Sequence, residues 1–196
     1  MESDIDLLER LRAGDEQAFV ALVGRHHSSM LRVARAFVPN SAVAEEVVQD
    51  TWVAVLRSIG QFEGRSSLKT WLYRVLINRA RSSGVKERRS VPTDDPERAV
   101  DPSRFDGAGN WASPPAHWVE EADDRLQAGS LAGHLRKALD ELPPLQREVV
   151  TLRDVEGLNS SEVCTLLNIT EGNQRVLLHR GRSRLRQALE TEFREA

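Results

Sequence analysis

Apolar residues recur at helical spacing through the first 89 residues of the chain. The stretch 16–38 predicts one long helix, and the stretch 42–61 predicts a second after a break at Pro39-Asn40-Ser41. Ser66 or Ser67 can cap a third helix, predicted over 68–81. The apolar positions that form the stripes of the first and third helices are Phe19, Leu22, Val23, Met30, Val33, Phe37 and Val38, then Leu68, Trp71, Leu72, Val75 and Leu76. No alternating pattern typical of strands occurs, so this part is predicted to be all-α.

The C-terminal part resumes the helical pattern with helices predicted over 124–142 and 145–154, the second opened by Pro143-Pro144. Gly157 suits a helix C-terminus, and Asn159 with Glu162 resembles a capping box at the start of the next helix. Two further helices joined by a tight turn follow over 159–189, which predicts a helix-turn-helix. The residues predicted to pack this small domain are Val163, Cys164, Leu167, Ile169, Leu178 and Leu185.

The stretch between these two helical parts is rich in proline and glycine, which is typical of a linker. The predicted fold class is therefore all-α, with two small helical domains over 1–89 and 125–196 joined by a long acidic linker over 90–124. The linker also carries Phe105, Trp111 and Trp118. These aromatic residues either dock on a neighbouring domain or anchor a partner, and the sequence leaves both open.

Charge alternates sharply along the chain although the net charge is only −3. Residues 65–89 carry eight basic side chains and one acidic, a local charge of +7, whereas residues 90–124 carry two basic and nine acidic, a local charge of −7. The last predicted helix is basic again through Arg175, Arg180, Arg182, Arg184 and Arg186. Either basic patch alone could be a solvated face; together they favour two surfaces for a polyanion, separated by an acidic connector.

The sequence contains no pattern typical of a catalytic or metal-binding site. The five histidines have no metal-ligand spacing, and no glycine-rich phosphate loop occurs. We therefore predict no metal, no cofactor and no enzymatic activity. The single Cys164 indicates a reducing compartment, no apolar run approaches the roughly 20 residues of a membrane span, and the acidic N-terminus is unlike a secretory signal. These features predict a cytoplasmic protein without a membrane span.

Three segments in order give the chain its resemblance to a known family. The stretches 43–52, 62–81 and 142–150 resemble the core-binding helix, the −10 promoter segment and the start of the −35-binding domain of bacterial RNA polymerase sigma factors. The total length and the linker length resemble those of the extracytoplasmic function (ECF) subfamily of the sigma-70 family. The resemblance implies a specificity subunit that binds core RNA polymerase, recognises the −35 and −10 elements, and assists promoter melting.

The resemblance also implies which residues make these contacts. For core polymerase they are Val47, Gln49, Asp50, Trp52, Val53 and Leu56, with Trp52 either an anchor at the interface or a residue of its own domain's core. For the −10 element they are Arg65, Ser66, Ser67, Lys69, Arg74, Asn78, Arg79 and Arg81. For the −35 element they are Asn173, Arg175, Val176, His179, Arg180 and Arg184. Later arginines of the last helix, including Arg182 and Arg186, are expected to touch phosphates or solvent.

The implied partners are the coiled coil of the polymerase's largest subunit, the polymerase flap, promoter DNA and an anti-sigma factor. The acidic linker is expected to occupy the nucleic-acid channel of the polymerase. Two residues depart from the family's pattern: Gln174 stands where a core valine usually packs, and Gly181 replaces a usual alanine. A glycine in mid-helix is expected to cost about 1 kcal/mol relative to alanine.

Two other classes of protein share some of these features. A free-standing helix-turn-helix regulator with a helical sensor domain would bind its operator without polymerase, commonly as a dimer. A small helical hydrolase would need a catalytic constellation that the sequence lacks. The acidic connector favours the sigma factor over both.

Overall fold

A computed structural model describes the backbone of residues 4–85 and 126–195, and the side chains of 6–83 and 133–191. Every regular element in these two ranges is helical, which confirms the all-α prediction. The proline-rich segment, with Phe105, Trp111 and Trp118, lies outside the described residues, so the two interpretations of its aromatic side chains stay predictions. No described helix is both long enough and apolar enough to cross a membrane.

The first helical group contains the three helices that the sequence pattern predicts. Its elements are α1 (Asp4–Arg12), α2 (Glu16–Phe37), α3 (Ser41–Ser58), a short 3-10 turn (Ile59–Gln61) and α4 (Leu68–Val85). Local caps explain where they begin. The Asn40 side chain accepts the Val43 N–H at 2.9 Å, and the Ser67 hydroxyl accepts the Thr70 N–H at 3.1 Å, which satisfies backbone donors that a helix start leaves unpaired.

The core of this group lies between α2, α3 and α4. Leu22, Val48 and Leu72 are completely buried there. Phe19 and Trp52 meet edge to face with ring centroids 5.9 Å apart, a favoured geometry for aromatic pairs. The packing fixes which face of each helix is left for partners.

The second helical group is built from α5 (Leu126–Asp140), α6 (Pro144–Val150), a π-helical turn (Thr151–Val155), α7 (Ser160–Leu167) and α8 (Glu171–Glu195). The predicted helix over 145–154 is thus divided into an α-helix and a wider π turn. The Glu156 N–H bonds to the Thr151 carbonyl at 2.9 Å. Gly157 follows with a φ of +71°, a conformation that glycine adopts without steric cost.

The predicted helix-turn-helix is present as α7 and α8. Asn159 and Glu162 form the predicted capping box, with both reciprocal bonds at 2.9 Å. Asn168 ends α7 in the left-handed conformation, and the Thr170 hydroxyl accepts the Asn173 N–H at 3.2 Å in the first turn of α8.

Gly181 allows α8 to approach α6 closely. A Cβ atom at this position would lie 2.6 Å from Cγ2 of Val150, closer than two carbon atoms can approach without displacement. The propensity cost of a glycine at this position therefore comes with a packing role, because the missing side chain makes room for Val150. The two helical groups also touch each other: α2 lies against α6 and the π turn, and α4 lies against α7.

Candidate functional site

The α3 surface presents an exposed apolar pair beside polar side chains. Val53 and Leu56 are 47% and 52% exposed, and Gln49 and Asp50 are exposed on the same helix. Carboxylate Oδ2 of Asp50 lies 4.0 Å from Nη1 of Arg79 on α4. Exposed apolar side chains grouped with polar ones are typical of a surface that binds another protein.

Val47 and Trp52, which were predicted for the same contact, lie in the core instead. Val47 is 2% exposed and Trp52 is 8% exposed. The Trp52 indole N–H donates to Nδ1 of His27 at 3.3 Å. The structure thus places these two side chains beneath the α3 surface, where they hold its backbone in position.

The predicted −10 residues lie in the loop before α4 and along α4. Arg65, Arg74 and Asn78 are exposed, and Arg65 pairs with Glu63 across the loop. Ser67 is committed to capping α4 and shares a 2.7 Å hydrogen bond with the Thr70 hydroxyl. Ser66 is partly exposed in the loop.

Lys69 and Arg81, at the two ends of the same helix, face the second helical group. Nζ of Lys69 donates to the Glu156 carbonyl at 2.6 Å. Nη2 of Arg81 donates to the Leu167 carbonyl at 3.4 Å. Part of the predicted −10 surface is therefore in contact with the other half of the protein.

Five of the six predicted −35 residues lie in the N-terminal half of α8; the sixth, Arg184, lies later in the helix, with Nη1 3.4 Å from Oε1 of Gln146. Asn173, Arg175, Val176 and Arg180 are exposed in the N-terminal half, and His179 is partly buried. Arg175 reaches one turn back to Glu171, with Nη2 3.5 Å from the carboxylate. The side chains that a helix-turn-helix would present to base edges thus stand together on an accessible face.

Farther along α8, Arg182 and Arg186 pair with acidic residues of the protein. Two nitrogens of Arg182 donate to the two carboxylate oxygens of Asp154 at 2.9 and 2.6 Å, and Nε of Arg186 donates to Glu190 at 2.5 Å. The expectation that Arg182 touches phosphate or solvent is wrong, because its side chain is 16% exposed and fixes α8 to the π turn.

Gln174 is buried in the position expected for a core valine, at 2% exposure. Its side-chain oxygen accepts a hydrogen bond from the Ser160 hydroxyl at 3.0 Å. Its amide nitrogen has no partner within the described residues. Gln174 therefore ties the start of α7 to α8, while the two N–H donors of its amide nitrogen are unsatisfied within the described residues.

His179 has a lowered pKa. Partial burial lowers it most, and the neighbouring charges of Arg180 and Arg182 lower it further. At neutral pH the imidazole is uncharged, so the positive charge of this face comes from its arginines.

A loss of stability in mild acid is the expected consequence at His179. At a pH below 6.5, the ordinary pKa of the imidazole, His179 of the unfolded chain binds a proton more readily than His179 of the folded chain. The contribution of His179 to the stability of the folded state is therefore fully present above pH 6.5 and is lost as the pH falls through the lowered pKa. Thermal unfolding at pH 7.5 and 5.5 checks this. His179→Gln should lose less stability between these pH values than His134→Gln; equal losses would contradict the expectation.

Comparison with known proteins agrees with this geometry. The family model for sigma-70 region 2 matches residues 22–90, and that for sigma-70 region 4 matches residues 133–185. The RNA polymerase sigma-H factor of Pseudomonas aeruginosa is 30% identical over 195 residues, covering 100% of this chain and 98% of the relative. The ECF RNA polymerase sigma-E factor of Escherichia coli K12 is 27% identical over 180 residues, covering 92% and 91%.

Two solved structures share the fold. CnrH, solved in complex with the cytosolic domain of CnrY, superposes with a TM-score of 0.61 at 21% identity over 97% of this chain and 99% of CnrH. The sigma factor RpoE of Bartonella quintana, solved in complex with the anti-sigma factor NepR, gives a TM-score of 0.54 at 23% identity over 87% and 97%.

The order of the two matched regions and the full-length similarity define the class of protein: this chain belongs to the sigma-70 family of bacterial RNA polymerase sigma factors. Within that family it is of the ECF type. It is a promoter-recognising sigma factor that directs transcription initiation.

Proposed function

We propose that the two domains divide promoter recognition between them. Residues 1–89 bind core polymerase and the −10 element, residues 125–196 bind the −35 element, and residues 90–124 connect them. The observation that carries this proposal is the α7–α8 helix-turn-helix, whose second helix exposes Asn173, Arg175, Val176 and Arg180 on one face. The chain needs no catalytic group for this role, because the polymerase performs the chemistry.

Core polymerase binds the α3 surface formed by Gln49, Asp50, Val53 and Leu56. The exposed apolar pair supplies area that is removed from water on docking. The polar neighbours fix the orientation of the contact. The partner is the coiled coil of the polymerase's largest subunit, and the flap of the polymerase contacts the second domain.

The −10 element contacts the loop before α4 and the face of α4 that carries Arg74, Asn78 and Arg79. Opening the duplex requires a few kcal/mol for each base that leaves the stack. The turn at Gly64, with a φ of +72°, and the partly exposed Ser66 hydroxyl offer polar groups for a captured base. The cations along α4 hold the DNA backbone beside it.

An anti-sigma factor is a further partner that we propose. Both solved relatives were determined in complexes, one with the cytosolic domain of CnrY and one with the anti-sigma factor NepR. The chain acts in the cytoplasm, where core polymerase and promoter DNA are found. Its acidic linker enters the electropositive channel of the polymerase and competes there with nucleic acid.

The −35 contact predicts a specific effect of Arg175→Ala. The Arg175 side chain is 73% exposed, and a well-placed arginine–guanine pair contributes about 1–3 kcal/mol of discrimination. The affinity ratio by which the holoenzyme prefers one base at one −35 position should therefore fall about 5- to 150-fold when it carries Arg175→Ala. Binding of the holoenzyme to promoters with each single −35 substitution measures this.

Arg186→Ala is the matched control for this experiment. Its guanidinium pairs with Glu190 on the later part of α8, so its removal should leave base preference unchanged. An Arg175→Ala holoenzyme with the wild-type preference at every −35 position would contradict the assignment of Arg175. Loss of core binding by the same variant would also contradict it.

A further inference from the structure

Glu156 is a buried carboxylate of the second helical group whose side-chain partners come from the first. Its side chain is 2% exposed. Nε of Arg32 lies 3.0 Å from one carboxylate oxygen, while the Tyr73 hydroxyl donates to the other at 2.5 Å. Nζ of Lys69 lies 3.4 Å from that second oxygen and also binds the Glu156 backbone carbonyl. Three side chains of α2 and α4 thus converge on one carboxylate.

The second helical group itself does little to stabilise the negative charge of the Glu156 carboxylate. It follows the π turn at the C-terminal end of a helical segment, where the helix dipole disfavours a negative charge. Within the described residues, the hydrogen bonds and ion pairs of its side chain go only to the first helical group. Burial of this charge is therefore explained by the contact between the groups, since an unpaired buried carboxylate is very costly.

Two other carboxylates of the second group extend the same contact. Glu162 accepts a hydrogen bond from the Thr70 hydroxyl at 2.6 Å. Glu148, with a side chain 4% exposed, lies 4.0 Å from Nη2 of Arg81. We call Glu148, Glu156 and Glu162 the acidic face. It opposes α4 from its first turn, at Lys69 and Thr70, to its later turns, at Arg81.

The acidic face pairs with two cations of α4 that the sequence predicts for the −10 element. These cations are Lys69 and Arg81, and each is in contact with the second domain. A carboxylate close to an ammonium or guanidinium group stands where a phosphate would bind. The closed arrangement therefore competes with the DNA for part of the same surface.

The closed arrangement also conflicts with binding both promoter elements at once. Elements centred near −35 and −10 are separated by about 25 base pairs, or roughly 85 Å at 3.4 Å per step. A compact group of about 80 residues has a radius of gyration of only about 12 Å, and in this structure α4 and α7 touch. The 40 residues of the segment 86–125 can extend to about 130 Å, which is enough for the domains to separate.

We propose that Glu156 is the centre of an autoinhibitory latch, which holds the second domain over α4 in the free protein and opens when the domains engage polymerase and promoter. This proposal rests on the assignment of α4 to the −10 element. A latch made from buried ion pairs suits a reversible contact, because the loss of hydration offsets much of the attraction. Arg32 and Lys69 remain 50% and 35% exposed, so both regain water easily on opening.

The test uses the full chain with one spin label in each domain. Cys164→Ser removes the native thiol, and Arg57→Cys on α3 with Gln187→Cys on α8 provides exposed labelling sites. Electron–electron distance measurements then compare the parent protein with Glu156→Gln, Glu156→Lys and the control Glu45→Gln. Glu45 is an exposed carboxylate of α3, so the control makes the same change of charge outside the contact. Circular dichroism establishes that each variant keeps its helical content.

The latch predicts one short distance for the parent and the control, and a long, broad distance for both Glu156 variants. Adding core polymerase to the parent should produce the long distance as well. If both folded Glu156 variants keep the short distance of the parent, the latch is wrong.

A second measurement separates this result from the assignment of α4. A fluorescent single-stranded oligonucleotide of mixed sequence should bind Glu156→Gln with a Kd about tenfold lower than it binds Glu45→Gln, as a closed population near 90% implies. Opening without tighter binding would support the latch and contradict the assignment of α4 to DNA. Tighter binding without opening would contradict the latch.

Discussion

Replacing both Val53 and Leu56 with aspartate is expected to abolish the binding of core polymerase while leaving the fold intact. The two side chains are 47% and 52% exposed on α3, so substitution should change the free energy of unfolding by about 0.5 kcal/mol each. At an interface, anchor residues contribute about 2 kcal/mol or more apiece, and a buried aspartate adds a desolvation cost. The expected loss of affinity is therefore about 100-fold or more.

Pull-down of core polymerase by the purified chain measures this loss, and Val176→Asp provides the matched control. Val176 is an equally exposed valine, at 47%, on α8 of the other domain. Its substitution should weaken the −35 contact and leave core binding unchanged. Wild-type core binding by the α3 double variant would contradict the proposed polymerase surface, as would an equal loss of core binding in the control.

Gly181→Ala is expected to destabilise the second domain, although alanine is the better helix former. The added Cβ would lie 2.6 Å from Cγ2 of Val150 and 3.5 Å from the Gln146 carbonyl oxygen. Overpacking of a core costs about 2 kcal/mol in the middle of its usual range, which is about 1 kcal/mol more than the gain in helix propensity. The midpoint of thermal unfolding should fall by roughly 2–8 °C.

Gly172→Ala, in the same helix, is the control that separates propensity from packing. A Cβ there meets nothing within 4 Å, so the variant should be at least as stable as the parent. Val150→Ala should restore room for Ala at position 181, and the double variant should show a favourable coupling of about 1 kcal/mol or more. Equal stabilisation by Gly172→Ala and Gly181→Ala would show that the Val150 contact does not matter.

The helices could be predicted from the sequence because their signals are local. The apolar stripe of α2, the Asn40 cap and the Asn159–Glu162 capping box each involve residues within a few positions of one another. The same holds for the helix-turn-helix, whose exposed arginines follow from helical periodicity. Physical rules that act over three or four residues were sufficient for these elements.

The contacts between distant segments could not be predicted in this way. Trp52 was as suitable for an interface as for a core, and its placement depends on Phe19 and His27 of another helix. Glu156 gave no signal, because its partners Arg32 and Tyr73 lie 124 and 83 positions away. A single sequence does not show which of many charged residues will meet in the folded chain.

The two departures from the family pattern show the same limit. Gln174 and Gly181 each looked unfavourable when judged by position alone. In the structure, Gln174 accepts a hydrogen bond from Ser160, and Gly181 leaves space for Val150. Each residue is suited to a particular neighbour, and the neighbour is known only once α8 has packed on α6 and α7.

The most direct test of promoter-directed initiation by this chain is run-off transcription by the purified chain with core RNA polymerase. Core polymerase alone and the chain alone serve as controls on the same set of native promoter fragments. We expect discrete transcripts that begin at a fixed distance from −35 and −10 elements, and only when both proteins are present. An absence of transcript on every native promoter, together with tight and specific footprinting of DNA by the chain alone, would contradict it and indicate a free-standing regulator.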